Sequence, residues 1–383
     1  MTNENREGYK KTKLGWIPME WEVSNVGEAF KICNNSRKPI SGTLRKNMQG
    51  KYPYYGPTKI QDYINEYQYD GRYALIAEDG DHFLKYSDKP MTQLAIGKFN
   101  VNNHAHAIQG QDKTTTEWFY WFFYHRNIFS HLTRQGAGRY KLNKASLMKL
   151  SVVIPPIPEQ QKIATILSTW DKAISKTQQL IEAKEEQNKG LMQCLLTGKV
   201  RLEGFGGAWE EKKFKEIFEK KNYKSIQLNK KQYLLFGKNP IVDQGKEVIC
   251  GFSNTENIII DVPTIIFGDH TRVVKWIDFK FVPGADGTQI FKTKPIVKLK
   301  FGYYVLDFLE IPNLGYSRHM RILKNSVFNI PKNIEEQTAI AAILTKADEE
   351  IHLLQQKLAA LRKQKKGLMQ QLMTGKIRVK TIN

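Results

Sequence analysis

Two carboxylates and a lysine, Asp269 and Asp278-Phe279-Lys280, stand in the order with which metal-dependent nucleases hold Mg²⁺ beside a cation. The pattern is short, and Asp-x-Lys arises easily in a chain that is 25% charged, so a nuclease is only the alternative reading. His104 and His106 alternate like strand neighbours and are spaced to share a metal. With no third ligand nearby, surface or core-edge histidines are the better account. Adenine-N6 methyl transfer needs an Asn/Asp-Pro-Pro-aromatic loop, which the sequence lacks. Thr197-Gly198-Lys199 and Thr374-Gly375-Lys376 lack the upstream glycine and the following Ser/Thr of a phosphate-binding loop, which argues against a nucleotide-driven motor. Cys33, Cys194 and Cys250 form neither a CxxC pair nor a disulfide framework. The expectation is a protein with no catalytic residues, metal site or cofactor of its own.

Binding chemistry is better represented. The chain has 383 residues, with 59 Lys+Arg against 38 Asp+Glu and a formal charge of +21. Such an excess predicts a polyanionic partner, and nucleic acid is the obvious one. Phosphate contacts give affinity, whereas base edges give sequence information. The candidate contacts lie in polar, aromatic-laced loops. In the first half they are Arg37, Lys38, Arg45, Lys46, Lys51, Tyr54, Tyr55, Lys59 and Gln61, then Arg134, Gln135, Arg139 and Lys141. In the second half they are Lys220, Lys221, Lys224, Lys230, Lys231, Lys246, Arg272, Arg318, His319 and Arg321. Arg134, Arg139, Arg272 and Arg318 are favoured, since a guanidinium pairs bidentately with guanine or phosphate. Gly136–Gly138 either brings backbone to a phosphate or makes a turn.

The elements that must position these residues repeat. Glu159–Leu202 and Glu336–Val379 align without a gap at an offset of 177, with 22 of 44 positions identical. Chance would give roughly three. In the first copy Ile163, Leu167, Trp170, Ile174, Thr177, Ile181, Lys184, Asn188, Leu191 and Leu195 alternate spacings of four and three. In the second the same places hold Ile340, Leu344, Ala347, Ile351, Leu354, Leu358, Leu361, Lys365, Leu368 and Leu372. A stripe of period 3.5 held this long is a coiled-coil seam. Each helix is expected to open after a proline-bearing stretch, near Gln160 in the first copy, and to close at Thr-Gly-Lys. Its length would be roughly 55 Å.

Two such stripes are best buried on each other, and the ungapped repeat favours an antiparallel, pseudo-two-fold pair. The periodicity alone also admits a parallel one. Lys184, Asn188 and Lys365 either fix register or sit near frayed ends. Gly190 and Gly367 mark the close approach of another helix or a partner, or else a tolerated kink.

Between the helices the chain is β-leaning. Tyr73–Ala77, Gln93–Ile96, Ile258–Ile260 and Thr264–Phe267 lie between Gly, Asn, Asp and Pro clusters, as strands do. Glu117–Leu132 is expected to be a largely buried helix. Faint echoes link the two bodies: Trp21-Glu22 with Trp209-Glu210, and Gln49-Gly50-Lys51 with Gln244-Gly245-Lys246. Charge is spread over both bodies rather than held in a tail, with +8 in residues 1–155 and +6 in residues 203–330. The polar segment Met1–Lys13 and the absence of a long apolar run predict a cytoplasmic protein without membrane spans.

LGWIPMEWEV (Leu14–Val23), the helix starts PPIPEQQKIATIL and NIEEQTAIAAIL, and the helix ends KGLMQCLLTGKVR and KGLMQQLMTGKIR resemble signatures of type I restriction–modification specificity (S) subunits. The resemblance covers almost the whole chain. It implies an α/β (α+β) fold with two target-recognition domains, residues 1–155 and 203–330, bearing mixed or irregular sheets. Two long antiparallel coiled-coil helices, 156–202 and 331–383, would separate them with pseudo-two-fold symmetry. The implied function is reading of a bipartite double-stranded DNA site, across a spacer of at most about 16 base pairs for a 55 Å helix. The implied partners are two methyltransferase (M) subunits and restriction/motor (R) subunits. S-adenosylmethionine, ATP and Mg²⁺ would then belong to those partners alone. The other alternative, besides the nuclease, is a basic coiled-coil scaffold that binds RNA.

Overall fold

The computed structural model describes residues 6–135, 139–315 and 317–380, without the side chain of Gln135. Gly136–Gly138 and that glutamine side chain lie outside the described residues. Helices of eight residues or more, among the described residues, are α1 (Thr116–Phe123), α2 (Ile157–Leu196), α3 (Leu299–Phe308) and α4 (Ile334–Met373). The chain divides into two compact units. Unit 1 is Met1–Lys176 with Leu358–Asn383, and unit 2 is Thr177–Lys357. Each long helix is thus shared between the units.

Unit 1 is built on a six-stranded sheet in the order Phe30–Ile32, Ala105–Gly110, Tyr69–Ala77, Thr92–Val101, Gln49–Tyr55, Ile60–Ile64. Its pairings are antiparallel except where Tyr54 lies parallel to Asn100. The expected strands at 73–77 and 93–96 are the middles of longer ones. Thr115 caps α1 by accepting the Trp118 N–H at 3.1 Å. That helix buries Trp118, Phe119, Trp121, Phe122 and Phe123. It stops at Phe123 rather than running to Leu132. Asn127 accepts the Phe129 N–H on its own side chain, an alternative to helical bonding, and the chain turns to bury Ile128. The core joins Trp21, Trp118 and Phe119 to Ile163 and Leu167 of α2 and to Met369, Leu372 and Met373 of α4.

Unit 2 has a four-stranded antiparallel sheet in the order Phe218–Lys221, Thr288–Thr293, Thr264–Gly268, Val274–Ile277. A smaller sheet pairs Asn239–Val242 with Gly251–Ser253 and, in parallel, with Val282–Pro283. The expected strand at 258–260 is reduced to a single bridge between Ile259 and Phe281, because only Ile259 turns into the core. Unit 2 gathers Phe214, Phe218, Phe291, Phe301 and Tyr304 around Leu195 and Leu196 of α2 and Ile340 and Leu344 of α4.

In both units, then, the end of one long helix lies with the start of the other, so the pairing is antiparallel. All the seam residues, from Ile163, Leu167, Trp170, Ile174, Ile181, Leu191 and Leu195 to Ile340, Leu344, Ile351, Leu354, Leu358, Leu361, Leu368 and Leu372, are buried or half-buried. The polar seam residues are engaged rather than frayed. Lys365 Nζ reaches Asp171 and sits 4.7 Å over the Trp121 ring and 4.6 Å over Tyr124. At the repeat-related place in unit 2, Asn188 donates to Asp348 at 2.8 Å, and Lys184 pairs with Glu350 at 2.9 Å.

Helix ends follow the caps. α2 begins at Ile157, earlier than the prolines suggest, because Pro158 occupies the first turn, where a missing N–H goes unused. Asn333 caps α4 through the N–H groups of Glu335 and Glu336. Both helices end at glycines in the left-handed region, Gly198 at φ 70° and Gly375 at φ 68°. No described atom outside their own helices lies within 4 Å of where a Cβ would stand on Gly190 or Gly367, so no helix of this chain explains those two glycines.

Candidate nucleic-acid interface

A repeated clasp holds each body to its helix pair. At the start of α2, Glu159 accepts the Trp21 indole N–H at 2.9 Å and two bonds from Arg378, Nε at 2.7 Å and Nη2 at 3.0 Å. At the start of α4, Glu336 accepts two bonds from Arg201, Nε at 2.7 Å and Nη2 at 2.8 Å. The next residue repeats too. Gln160 accepts the Thr115 N–H at the start of α1 and donates to Pro155 and Lys113 carbonyls. Gln337 accepts the Lys298 N–H at the start of α3 and donates to Pro331 and Ile296 carbonyls. Glu159, Gln160, Glu336 and Gln337 are all buried. Arg378 is held above the usual guanidinium range, first by its bond to Glu159. The clasp orients; it does not face a ligand.

The cations outside the clasp sort by what already occupies them. Two expected contacts are corrected outright. Tyr54 is 1% exposed, with its hydroxyl accepting the Ile40 N–H and donating to the Lys38 carbonyl, and His319 is fully buried against Asp269. Neither reaches a duplex; both close loops from within. Arg37 is half-buried on Glu78 at 2.7 Å, and Arg45 on Asp62 at 3.2 Å, so each braces its own loop. Lys38 pairs with Glu66, and Lys141 lies 3.5 Å from Glu78. Tyr55 is half-buried against Phe99, and burial raises its hydroxyl pKa. Lys46, Lys51, Lys59 and Gln61 are exposed on and beside the Gln49–Tyr55/Ile60–Ile64 hairpin. Arg134 and Arg139 are exposed on a second hairpin, Thr133–Gln135 with Arg139–Lys141.

In unit 2, Lys220, Lys221, Lys224 and Arg318 line one cleft of about 130 Å³ together with Gln289 and Asp286. Lys221 pairs with Glu219, and Arg318 with Asp286, both at 2.8 Å. Gln289 is 8% exposed, and its Oε1 is buried without a hydrogen-bond partner. Lys230, Lys231 and Lys246 are exposed on the neighbouring hairpin region, and Arg321 is exposed near the start of the short helix Met320–Asn325. Arg272, at φ 63°, donates to the Ile311 carbonyl at 3.0 Å and is not brought to the cleft. Sequence reasoning missed the Tyr52–Tyr67 pair, 5.0 Å apart, with Lys51 over the first ring and Lys98 over the second. The aromatic-lysine alternation in this stretch was its only signal.

The alternative chemistries fare poorly. Asp269 is 2% exposed and caps a helix through the Met320 N–H at 2.7 Å, while Asp278 and Lys280 are exposed. Both ring nitrogens of His106 are engaged, by Asn34 and the Leu142 carbonyl, and His104 meets Asp79. Among the described residues no three His, Cys, Asp or Glu side chains gather as metal ligands. No helix among them is long and apolar enough to cross a membrane.

The family model for the type I restriction modification DNA specificity domain matches the chain twice, over residues 18–185 and 207–363. The chain belongs to that family. As a member of it, the protein is a non-catalytic specificity component. It is 39% identical over 165 residues to a putative type I restriction enzyme specificity subunit of Haemophilus influenzae, a match covering 43% of this chain and 40% of that protein. It is 26% identical to the putative MjaX specificity subunit of Methanocaldococcus jannaschii, over 98% of each. The fold resembles the type I restriction–modification S subunit of M. genitalium, with TM-score 0.66, 16% identity, and coverage of 92% of this chain and 96% of that one. The two matched regions begin near Trp21 and Trp209, the tryptophans beside Glu159 and Arg201 of the two clasps.

Proposed function

We propose that the chain reads a bipartite double-stranded DNA site, one half through each unit, and docks methyltransferase (M) and restriction/motor (R) subunits. The observation that carries this reading is the repeated Glu-Gln/Arg clasp, which joins two differently armed basic bodies to matching helix ends. Identical mounting with unlike exposed cations suits two readers of different base sequences. S-adenosylmethionine, ATP and Mg²⁺ would be bound by the partner subunits. The bare surfaces at Gly190 and Gly367 suit a partner helix better than one from this chain.

The test is methylome mapping in a host that carries the chain with its partners. A split adenine-methylated motif, absent when the chain is deleted, is the expected result; loss of no motif on deletion would refute the proposal. The cleft in unit 2 makes a narrower prediction. Lys220 and Lys224 are exposed and line it, so K220A/K224A should lower the slope of log affinity against log salt by about 2, at about 0.9 per phosphate contact. Filter binding across a salt series measures it, and an unchanged slope removes both lysines from the interface.

A further inference from the structure

Unit 2 carries a bare apolar point among its lysines. The chain leading to it is anchored at each step. Leu228 donates to the Pro283 carbonyl at 2.9 Å, and the Tyr233 hydroxyl accepts the Ala285 N–H at 2.8 Å. Leu234 exchanges both backbone hydrogen bonds with Phe252, each at 2.9 Å. The returning leg is fixed as well. Lys238 donates to Asn254 Oδ1 at 3.1 Å, and strand Asn239–Val242 follows at once. Gly237 runs so close that a Cβ there would stand 3.1 Å from the Phe252 Cβ and the Ser253 backbone. Between these legs stand only Leu235 and Phe236, and each is 86% exposed. Covering either would gain about 1.5–3 kcal/mol.

The surroundings select the occupant. Lys230, Lys231 and Lys238, on the two legs, and Lys246, on the loop after strand Asn239–Val242, are all exposed, with Lys238 lying 3.8 Å from Glu256. The loop that bears Lys246 is pinned by Lys275, whose buried ammonium donates to the carbonyls of Asp243 and Glu247. The same loop exposes Val248 and Ile249. The stem starts beside the cationic cleft, since Gln227 and Pro283 line the cleft and Leu228 bonds to Pro283. A protein partner would bury about 800 Å² on its side of a stable interface and avoid lysine at its centre. Leu235 and Phe236, even with Val248 and Ile249 beside Lys246, fall well short of that area and are interleaved with lysines. A DNA duplex offers phosphates for the lysines and an apolar gap between stacked bases for the point.

We propose that Leu235 and Phe236 form a wedge that enters a base step of the bound duplex while the surrounding lysines hold its phosphates. The wedge opens that step and so makes recognition depend on how easily it unstacks. This rests on the DNA-reading function proposed above.

The test uses the chain assembled with its partner subunits, wild type and L235A/F236A, on the methylation-mapped duplex with 2-aminopurine placed at each position in turn. Exposed side chains contribute little to folding, so the variant should melt and assemble as the wild type does. The wild type should raise fluorescence several-fold at one step. The variant should lose that rise and bind about 10-fold more weakly, with an unchanged salt slope. A bound wild type that brightens no position, or a variant that binds and unstacks normally, overturns the wedge and leaves the DNA-reading function standing. A variant that fails to assemble yet keeps any DNA affinity makes the point a protein contact and also overturns the wedge. No duplex binding by the wild-type complex removes both proposals together.

Discussion

Glu159→Ala should destabilise unit 1 by about 2 kcal/mol, and Glu336→Ala should destabilise unit 2, because each removes the buried acceptor of a bidentate arginine whose outer face stays in water. The Glu159 side chain is 3% exposed and that of Glu336 is 1% exposed, whereas Arg378 and Arg201 are 40% and 28% exposed and keep water on their outer faces. In unit 1 the deletion also strands the Trp21 indole N–H, which then has no acceptor in a core it shares with Trp118. In unit 2 the Trp209 indole nitrogen is already buried without a partner, and Arg201 lies 5.8 Å over its ring. Glu336→Ala should therefore act through the arginine alone and cost somewhat less. Glu→Gln keeps shape and one acceptor but loses the charge, and should recover part of the loss at both places. Hydrogen exchange read separately on the amides of each unit measures these effects. Protection lost mainly in the unit that holds the mutated glutamate is the expected pattern; loss shared evenly, or no loss, would show that the clasp does not hold the bodies to the helices.

The clasp also shows where sequence reading stopped short. The seam was legible because burial of one helical face imposes a 3.5-residue period on residue type, and Ile163 through Leu195 display it without any partner in view. Glu159 and Arg201 lie off that stripe, and so do Glu336 and Arg378, while Gln160 and Gln337 are polar one step before its first apolar residue. Their signal was the identity itself: polar residues away from a seam need not match between copies unless each has a fixed partner. The pairing crosses between copies, since Arg201 follows α2 but meets Glu336, and no local pattern encodes that.

The cations were less legible still, because charge type shows in sequence while the partner does not. Arg37 and Glu78 stand 41 residues apart, and Arg45 and Asp62 stand 17 apart, yet both arginines are half-buried and bound. Tyr54 reads like its neighbour Tyr55 until strand alternation sends it inward, where its hydroxyl closes the Lys38–Ile40 loop. Leu235 and Phe236 depart from the ordinary pattern in the opposite sense. Apolar residues are expected inside, and only the anchoring of both legs leaves these two outside.

Exchanging residues 1–155 for the corresponding body of another family member should replace one half of the methylated site and leave the other half as it was. Residues 1–155 meet the helices through groups that a graft must supply: an indole for Glu159, a carboxylate for Arg378 like that of Glu20, a backbone N–H for Gln160 like that of Thr115, rings for Lys365 like those of Trp121 and Tyr124, and an apolar face for Ile163, Leu167 and Met369. The exposed cations at Lys46, Lys51, Lys59, Arg134 and Arg139 all leave with the exchanged segment, whereas the cleft lysines and Arg318 stay. If base reading resides in those exposed loops, the retained half-site is set wholly by unit 2 and cannot respond to the exchange. A graft lacking the indole should still change the same half but lower the yield of assembled complex, since the Glu159–Arg378 pair loses its third member. Methylome mapping of the chimera separates these outcomes, and a motif altered in both halves would mean that the two bodies do not read independently.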